Sequence, residues 1–327
     1  MLRGPSTAPK RQRLWIATSA IAVLAIAPAL FAQAGKKAPP PAPAASPPAG
    51  TLDRIRTTGT LKLGFRTDAR PLSFQDQSGK AAGYSVEVCQ AVAEAVKTEL
   101  SLPALKVEWV PVTVDSRLSA VKEGQVDLLC GASTETLERR KNVAFSTPIF
   151  PGGVAALIRS DAPKQLRNIL SGKSQTYTPV WRAVALNILR EQVFVTVAGT
   201  TAEDAVKRRA KELQVDSRML PPVASYDEGV QDVVDRKANA FFAERAILID
   251  AVRRNPSGKS LTILDRQFTY EPLALALARG DDDFRLMVDR GLSKLYASTA
   301  FLGIYKKWFG EPDETTATFF RWNILPE

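Results

Sequence analysis

From residue 52 onward, short runs rich in β-branched and aromatic residues alternate with longer runs whose apolar residues recur at helical spacing. Thr60–Arg66 (TLKLGFR) has the alternating pattern of a strand. The next long run shows the i, i+3, i+4, i+7 spacing of a buried helix face, at Cys89, Val92, Ala93 and Val96. Strands that alternate with helices favour sheets covered by helices, so the pattern predicts an α/β fold.

The same alternation continues along the rest of the chain. Further strands are predicted at Lys106–Val110, Val126–Cys130, Val193–Ala198 and Asn239–Ala243. Further helices are predicted at Ser116–Glu123, 199–213, Asp227–Asp235, Asp282–Leu295 and Phe301–Phe309. With 327 residues, 45% of them hydrophobic, the chain is long enough to form two lobes with buried cores.

The first 34 residues have the features of a cleaved signal peptide. A basic start is followed by an almost wholly apolar stretch from Leu14 to Phe31 and by small residues at Ala32 and Ala34. The alternative is a retained membrane anchor, but Pro28 and the small-residue site favour cleavage and a periplasmic location. Residues 35–51 contain six prolines, a composition that predicts a disordered tether.

The charge distribution argues against nucleic-acid binding, although the formal net charge is +10. Four of the basic residues lie within the first 34 residues, which contain no acid, and the remaining 40 are scattered among 34 acids. No long basic run and no stripe of interleaved aromatic residues is present in the sequence. We therefore predict no nucleic-acid partner.

The complete lack of histidine excludes a Ser–His–Asp or Cys–His catalytic site and a histidine-ligated zinc site. The only two cysteines, Cys89 and Cys130, are too few for a cysteine-rich metal site. In an oxidising compartment they can form one disulfide, but their apolar surroundings favour two buried free thiols. No metal and no cofactor is predicted.

Gly131–Ser146 (GASTETLERRKNVAFS) combines small, hydroxyl and basic residues directly after a predicted buried strand. Such strand ends are where α/β folds bind ligands, and the guanidinium of Arg139 is suited to two-pronged binding of a carboxylate. A surface helix with solvated charges at Arg139, Arg140 and Lys141 explains the same residues. Taken alone, the pattern favours the surface helix.

Four stretches in the same order carry a family resemblance. They are LDRIRTTGTLKLGFR, GYSVEVCQAVAEAV, RLSAVKEGQVDLLCGASTETLERRKNVAFSTPIF and the closing YKKWFG. From Leu52 to about Pro312 the chain resembles the bacterial periplasmic amino-acid-binding proteins, the solute-receptor subunits of ABC importers. The CGAST…ERRK…FS pattern and the Gly-Phe-Arg after the first strand are most similar to the glutamate/aspartate-binding branch.

The resemblance implies a two-lobed fold in which two crossover strands join the lobes and the ligand lies in the cleft between them. The crossovers are expected near Gly152–Ser160 and Thr269–Arg279. Lobe one is expected to comprise 52–152 plus 275–327, and lobe two 156–268. Ligand binding is expected to close the hinge.

The resemblance also implies which residues bind the α-carboxylate of the ligand. Arg139 matches the carboxylate-binding arginine, and Thr134 the hydroxyl residue before it. Thr200 and Thr201 match the lobe-two threonines that bind the same carboxylate, at a helix N-terminus that adds free amides. Thr200 also forms a capping-box pattern with Glu203, so a plain capping role remains open.

The other end of the ligand is expected to contact a second group of residues. Glu244 matches the acid that pairs with the ligand's ammonium, although it is one methylene longer than the usual aspartate. Arg66 and Arg117 match the arginines that receive an acidic side chain, and Ala132 lines the site. Glu228 stands where the acidic-ligand branch has a histidine. Ordinary structural roles remain open, such as a surface pair of Arg66 with Asp68 and a helix-start position for Glu244.

Residues 173–192 have no counterpart in the family resemblance. Their apolar spacing at Val184, Ile188 and Leu189 predicts an additional helix in lobe two, preceded by Trp181.

The favoured function is a monomeric transport receptor that captures an amino acid, glutamate or aspartate, and delivers it to the permease subunits of an inner-membrane ABC importer. One alternative is an enzyme of the arogenate or prephenate dehydratase type on the same fold, for which Glu228 is the candidate acid–base residue. Another is a ligand-sensing module, which is normally fused to further domains. We predict a binding protein rather than an enzyme.

Overall fold

Strands and helices alternate from Thr51 to Trp322, as the sequence predicts. A computed structural model describes residues 50–172, 182–215, 218–219 and 221–326, and only the backbone of 182–184 and 218–219. The predicted signal peptide, nearly all of the predicted tether and Trp181 lie outside the described residues.

The described strands are β1 (Thr60–Arg66), β2 (Asp68–Ala69), β3 (Ser73–Gln75), β4 (Ala81–Ala82), β5 (Lys106–Val112), β6 (Leu128–Leu129), β7 (Val143–Gly152), β8 (Val154–Arg159), β9 (Val193–Thr196), β10 (Arg218–Met219), β11 (Ala240–Glu244), β12 (Leu261–Ile263) and β13 (Glu271–Ala278). The described α-helices are α1 (Thr51–Thr58), α2 (Tyr84–Glu99), α3 (Arg117–Lys122), α4 (Lys164–Ser171), α5 (Arg182–Arg190), α6 (Thr201–Leu213), α7 (Tyr226–Val234), α8 (Arg245–Arg254), α9 (Asp282–Tyr296), α10 (Thr299–Phe309) and α11 (Glu314–Trp322).

The first five-stranded sheet has the order β5-β1-β6-β13-β7 and combines strands from both ends of the chain. β1 is parallel to β5 and β6, whereas β13 is antiparallel to β6 and β7. Helices α2 and α9 pack together beside it and bury apolar residues such as Val92 and Val288. Because β1 and β6 are parallel, their carboxyl ends meet at the same edge of the sheet.

The second five-stranded sheet has the order β10-β9-β11-β8-β12. β11 is parallel to β9 and antiparallel to β8. Phe194 and Phe242 pack edge to face in a core that also includes the partly buried Phe268. The carboxyl ends of β9 and β11 therefore also lie at one edge, and the segments that follow them begin α6 and α8.

The chain connects the two sheets twice. It leaves the first sheet after β7 and enters the second at β8, with only Gly153 between them, and it returns between β12 and β13. The two connections run side by side, since Glu271 pairs with Gly152. This is the predicted fold of two α/β lobes joined by two crossover strands. The lobe boundaries given above stay a prediction.

Cys89 and Cys130 form a disulfide, so the prediction of two free thiols was wrong. Cys89 lies on the buried face of α2 and Cys130 directly follows β6, with their Cα atoms 6.0 Å apart. This separation lies within the range that a disulfide spans. The helical spacing placed Cys89 in the core, but it contained no information on which strand end lies opposite.

Several predicted elements differ from the structure only at their ends. The predicted strand Val126–Cys130 pairs as a strand only over Leu128–Leu129, because its flanks bond to β1 through single hydrogen bonds outside the ladder. The predicted helix in 173–192 is α5, with Leu189 buried. Within the part of the chain that the structure describes, no helix has the length and apolar character needed to cross a membrane.

Candidate functional site

The carboxyl ends of the parallel strands in both sheets border one pocket. Arg66 is the last residue of β1 and Glu244 the last of β11, while Thr134 follows β6 and Thr201 begins α6 after β9. The pocket contains about 440 Å³ of empty space, the open solvent at its mouth included. Its lining comprises Arg66, Arg117, Ala132, Thr134, Arg139, Val154, Thr200, Thr201, Ala202, Tyr226, Ala243, Glu244, Ile247 and Leu273.

The structure thus brings together all of the predicted site residues except Glu228. Their roles in ligand binding stay predictions. Each side chain nevertheless has partners that limit what it can do.

Arg66 already has an acidic partner inside the protein. Its guanidinium donates two hydrogen bonds to the carboxylate of Asp68, at 2.7 and 2.8 Å, and the side chain is 1% exposed. Burial acts to lower the pKa of Arg66, but Tyr226 and Asp68 outweigh burial and the pKa is raised. The pair considered from the sequence is therefore present, but it joins a buried arginine to a partly exposed aspartate. The charge of Arg66 is compensated by Asp68 within the protein.

Arg117, the first residue of α3, is buried without such a partner. It is 4% exposed; one guanidinium nitrogen donates to the carbonyl of Gly199 at 3.1 Å, and Nε contacts no acceptor among the described residues. Burial, followed by the nearby charges of Arg139 and Arg66, lowers the pKa of Arg117 to about 9. A buried cation with repelling neighbours is stabilised by an anion, and this part of the pocket is suited to bind one.

Arg139 lies at the start of a short 3-10 helix, Arg139–Lys141, and points back into the pocket. Its backbone N–H donates to the hydroxyl of Thr136, and its guanidinium donates to the carbonyl of Thr134 at 2.8 Å. Burial lowers the pKa of Arg139. By contrast, the next residue, Arg140, is exposed and contacts Glu135. The surface-helix interpretation fits Arg140 but not Arg139.

The two threonines at the start of α6 have different environments. Thr200 is the N-cap: its hydroxyl donates to the carbonyl of Val197 at 2.7 Å and accepts from the N–H of Glu203 at 3.4 Å. The predicted pairing of Thr200 with Glu203 at the helix start is therefore present. The hydroxyl of Thr201 points instead across the pocket.

Glu244 is a partly buried acid at the start of α8. Its carboxylate accepts hydrogen bonds from the N–H of Gly153 at 2.7 Å and of Ala246 at 3.3 Å. Burial raises the pKa of Glu244 to about 8; these backbone bonds oppose the shift, and the charge of Glu271 adds to it. With these neighbours the carboxyl is largely protonated at neutral pH, and a ligand ammonium beside it favours its ionised form.

Glu271, the first residue of β13, was not predicted as a site residue. Its Oε2 atom accepts hydrogen bonds from the hydroxyls of Thr134, at 2.9 Å, and Thr201, at 2.6 Å. These are two of the groups that the family resemblance assigns to the ligand's α-carboxylate. No local pattern indicates this contact, because Thr134 and Thr201 are 137 and 70 residues away.

Glu228 lies outside the pocket, contrary to the prediction. It is exposed on α7, its carboxylate accepts from the N–H of Ala224 at 3.1 Å, and its own N–H donates to the hydroxyl of Ser225 at 3.2 Å. Ser225 and Glu228 have the S-x-x-E spacing of a capping box, and this signal predicts that Glu228 points back to the backbone. The pocket residue on this turn is Tyr226, which is buried beside Arg66 and Arg117.

Comparison with known proteins places this geometry in a family. Residues 61–311 match the family of bacterial extracellular solute-binding proteins, family 3. An L-glutamate/L-aspartate-binding protein of Pseudomonas aeruginosa is 32% identical over 267 residues, which cover 80% of this chain and 81% of that protein. A glutamate/aspartate import solute-binding protein of Escherichia coli is 26% identical over 270 residues, 82% of each chain.

Other similar proteins carry other names. An L-cystine-binding protein of Escherichia coli is 24% identical over 266 residues, 80% of this chain and 86% of that protein. Among solved structures, an ancestral amino acid-binding protein described as a precursor of cyclohexadienyl dehydratase is 26% identical, with a TM-score of 0.63; the match covers 80% of this chain and 100% of that one.

The matched residues include both sheets and every predicted site residue. The chain belongs to the bacterial extracellular solute-binding proteins, family 3.

Proposed function

We propose that this protein is a periplasmic receptor that binds an acidic amino acid, glutamate or aspartate, and delivers it to an ABC importer. The observation that carries the proposal is Arg117, a guanidinium that is 4% exposed and repelled by Arg139 and Arg66. Among the described residues it forms no salt bridge, although the charge of Asp115 opposes part of this repulsion. An anionic group beside Arg117 compensates this charge. The names of the two glutamate/aspartate-binding relatives support the same ligand class.

An amino acid with an acidic side chain matches the charges of the pocket at three points. Arg139 is available for the α-carboxylate, Glu244 for the ammonium and Arg117 for the side-chain carboxylate. Arg66 positions the pocket through Asp68 and Tyr226 rather than binding an anion alone. A neutral side chain such as that of glutamine leaves the charge of Arg117 uncompensated, which disfavours the neutral ligand.

The test is isothermal titration calorimetry on mature protein from the periplasmic fraction, freed of ligand by unfolding and refolding. Glutamate, aspartate, glutamine, asparagine, arginine and cystine are compared. We expect glutamate or aspartate to bind most tightly, and Arg117→Gln to weaken that binding by roughly 30-fold or more, since loss of one partner of a buried charge pair costs about 2 kcal/mol or more.

The matched control is Arg279→Gln, which removes an exposed guanidinium away from the pocket lining and is expected to leave the dissociation constant unchanged. Tighter binding of glutamine or arginine than of glutamate refutes the acidic ligand. Absence of heat with every amino acid refutes the receptor function itself.

The second candidate is a dehydratase, which the raised pKa of Glu244 favours. A carboxyl with a pKa of about 8 is protonated at neutral pH and is suited to act as a general acid. The relationship to a precursor of cyclohexadienyl dehydratase makes arogenate and prephenate the substrates to test. We expect no turnover of either compound by the protein; turnover that disappears in Glu244→Gln identifies the enzyme instead.

A further inference from the structure

The carboxylate of Glu271 contacts the hydroxyl groups of Thr134 and Thr201, which line the pocket. Thr134 belongs to the segment after β6 in the first lobe, and Thr201 begins α6 in the second. Both hydroxyls donate to the same oxygen of Glu271, and the two hydroxyl oxygens are 3.4 Å apart. One carboxylate oxygen therefore connects the two lobes across the cleft.

The position of Glu271 makes this contact part of the hinge. Its backbone pairs with Gly152, so it lies beside the first connection, and it directly follows the second one. A Cβ atom on Gly152 would lie 2.9 Å from the carbonyl oxygen of Glu271 and 3.0 Å from Oε2 of Glu244, which explains why only glycine fits here. The close approach of the two connections directs the Glu271 side chain into the cleft.

We propose that Glu271 is an internal competitor for the ligand: its carboxylate occupies the α-carboxylate subsite of the empty protein and ties the lobes together, and it leaves when an amino acid binds. The competition for this subsite rests on the proposed function. A threonine hydroxyl has a single hydrogen to donate, and both are directed to Glu271. An incoming α-carboxylate needs these same hydrogens, and two carboxylates in one poorly solvated subsite repel each other.

Glu271 and the ligand's α-carboxylate also compete for Arg139. Among the groups that oppose the effect of burial on its pKa, Glu271 is the strongest. The charge of Glu271 thus partly compensates Arg139 in the empty pocket, and the ligand's α-carboxylate takes over that role. The arrangement differs from an ammonium subsite, since the two groups that contact the Glu271 carboxylate are hydroxyl donors.

The experiment compares the ligand-free parent with Glu271→Ala and Glu271→Gln by small-angle X-ray scattering and by calorimetry with glutamate and aspartate. We expect Glu271→Ala to have a larger radius of gyration without ligand, because the contact between the lobes is lost. We also expect it to bind the ligand roughly ten- to a hundredfold more tightly, since a hydrogen bond to a charged group contributes enough for such a factor. Glu271→Gln keeps an acceptor and should show a smaller effect of the same sign.

The matched control is Glu135→Gln. Glu135 lies on the neighbouring segment, where its N–H bonds to the carbonyl of Pro272, but its carboxylate contacts the exposed Arg140 instead of the threonines. This variant should scatter and bind like the parent.

Weaker ligand binding by Glu271→Ala overturns the proposal, because that result means that the Glu271 carboxylate binds the ligand's ammonium group. An unchanged radius of gyration overturns it as well, since the contact then does not hold the lobes together. The scattering comparison needs no ligand. It therefore tests the contact between the lobes even if the parent binds no amino acid, a result that would refute the proposed function by itself.

Discussion

Glu244→Gln removes a partly buried carboxyl whose pKa is raised from 4.5 to about 8. A shift of this size means that the protein disfavours the ionised form by about 5 kcal/mol, at 1.36 kcal/mol for each pKa unit. At a pH between these two pKa values, Glu244 is therefore protonated in the folded chain and ionised in the unfolded chain. In this window the parent must lose stability as the pH rises.

The expected magnitude follows from the two pKa values. Between pH 5 and pH 8, ionisation of Glu244 in the unfolded chain should lower the free energy of unfolding of the ligand-free parent by about 3–4 kcal/mol. Glutamine does not titrate, and its carbonyl oxygen can still accept from the N–H of Gly153. The difference in free energy between the two proteins should therefore change by about this amount, in favour of the variant at higher pH.

The assay is urea unfolding of parent and variant at pH 5, 6, 7 and 8, followed by circular dichroism and tryptophan fluorescence. Taking the difference between the two proteins at each pH removes the contribution of all other titrating groups that the substitution leaves unchanged. A difference that stays constant within about 1 kcal/mol from pH 5 to pH 8 refutes the reasoning, because Glu244 then does not titrate in this window.

Two further predictions concern other parts of the molecule. Arg139→Ala should weaken binding of the acidic amino acid by roughly 30-fold or more in calorimetry, because Arg139 lines the pocket. Arg140 is exposed, so Arg140→Ala should bind like the parent. Equal effects of the two changes would show that the ligand's carboxylate lies elsewhere. Replacing Cys89 and Cys130 together by alanine should lower the free energy of unfolding, measured in urea, by about 4 kcal/mol. This is the loss of chain entropy that a disulfide closing a loop of 41 residues imposes on the unfolded chain. An unchanged urea midpoint would contradict a stabilising disulfide.

Local pattern was sufficient for most of the fold. The spacing of apolar residues in α2 reports which face of that helix is buried, and the alternation in β1 reports a strand, since both follow from the geometry of a few consecutive residues. The Pro/Ala composition of 35–51 similarly predicts a tether without any tertiary contact. The two-lobed arrangement itself came from the family resemblance.

Eight of the nine site residues that the family resemblance implies line one pocket, and their roles in ligand binding stay predictions. The sequence did not determine what those residues contact. Arg66 proved to be paired with Asp68, whereas Arg117 is buried and forms no salt bridge with a described residue. In the sequence both are arginines near a strand or helix end. Whether a guanidinium has an acidic partner depends on the strands and helices that pack around it.

The placement of Glu228 follows from a local helix-start hydrogen bond, which the spacing of Ser225 and Glu228 indicates and which outweighed the family position. Only the tertiary structure decided the disulfide and the contact of Glu271 with the threonines. These contacts join residues 41 to 137 positions apart, which meet because the sheets bring strand ends together. Short-range periodicity reports burial and local conformation, whereas the partner of a buried cysteine or carboxylate is set by packing between distant segments.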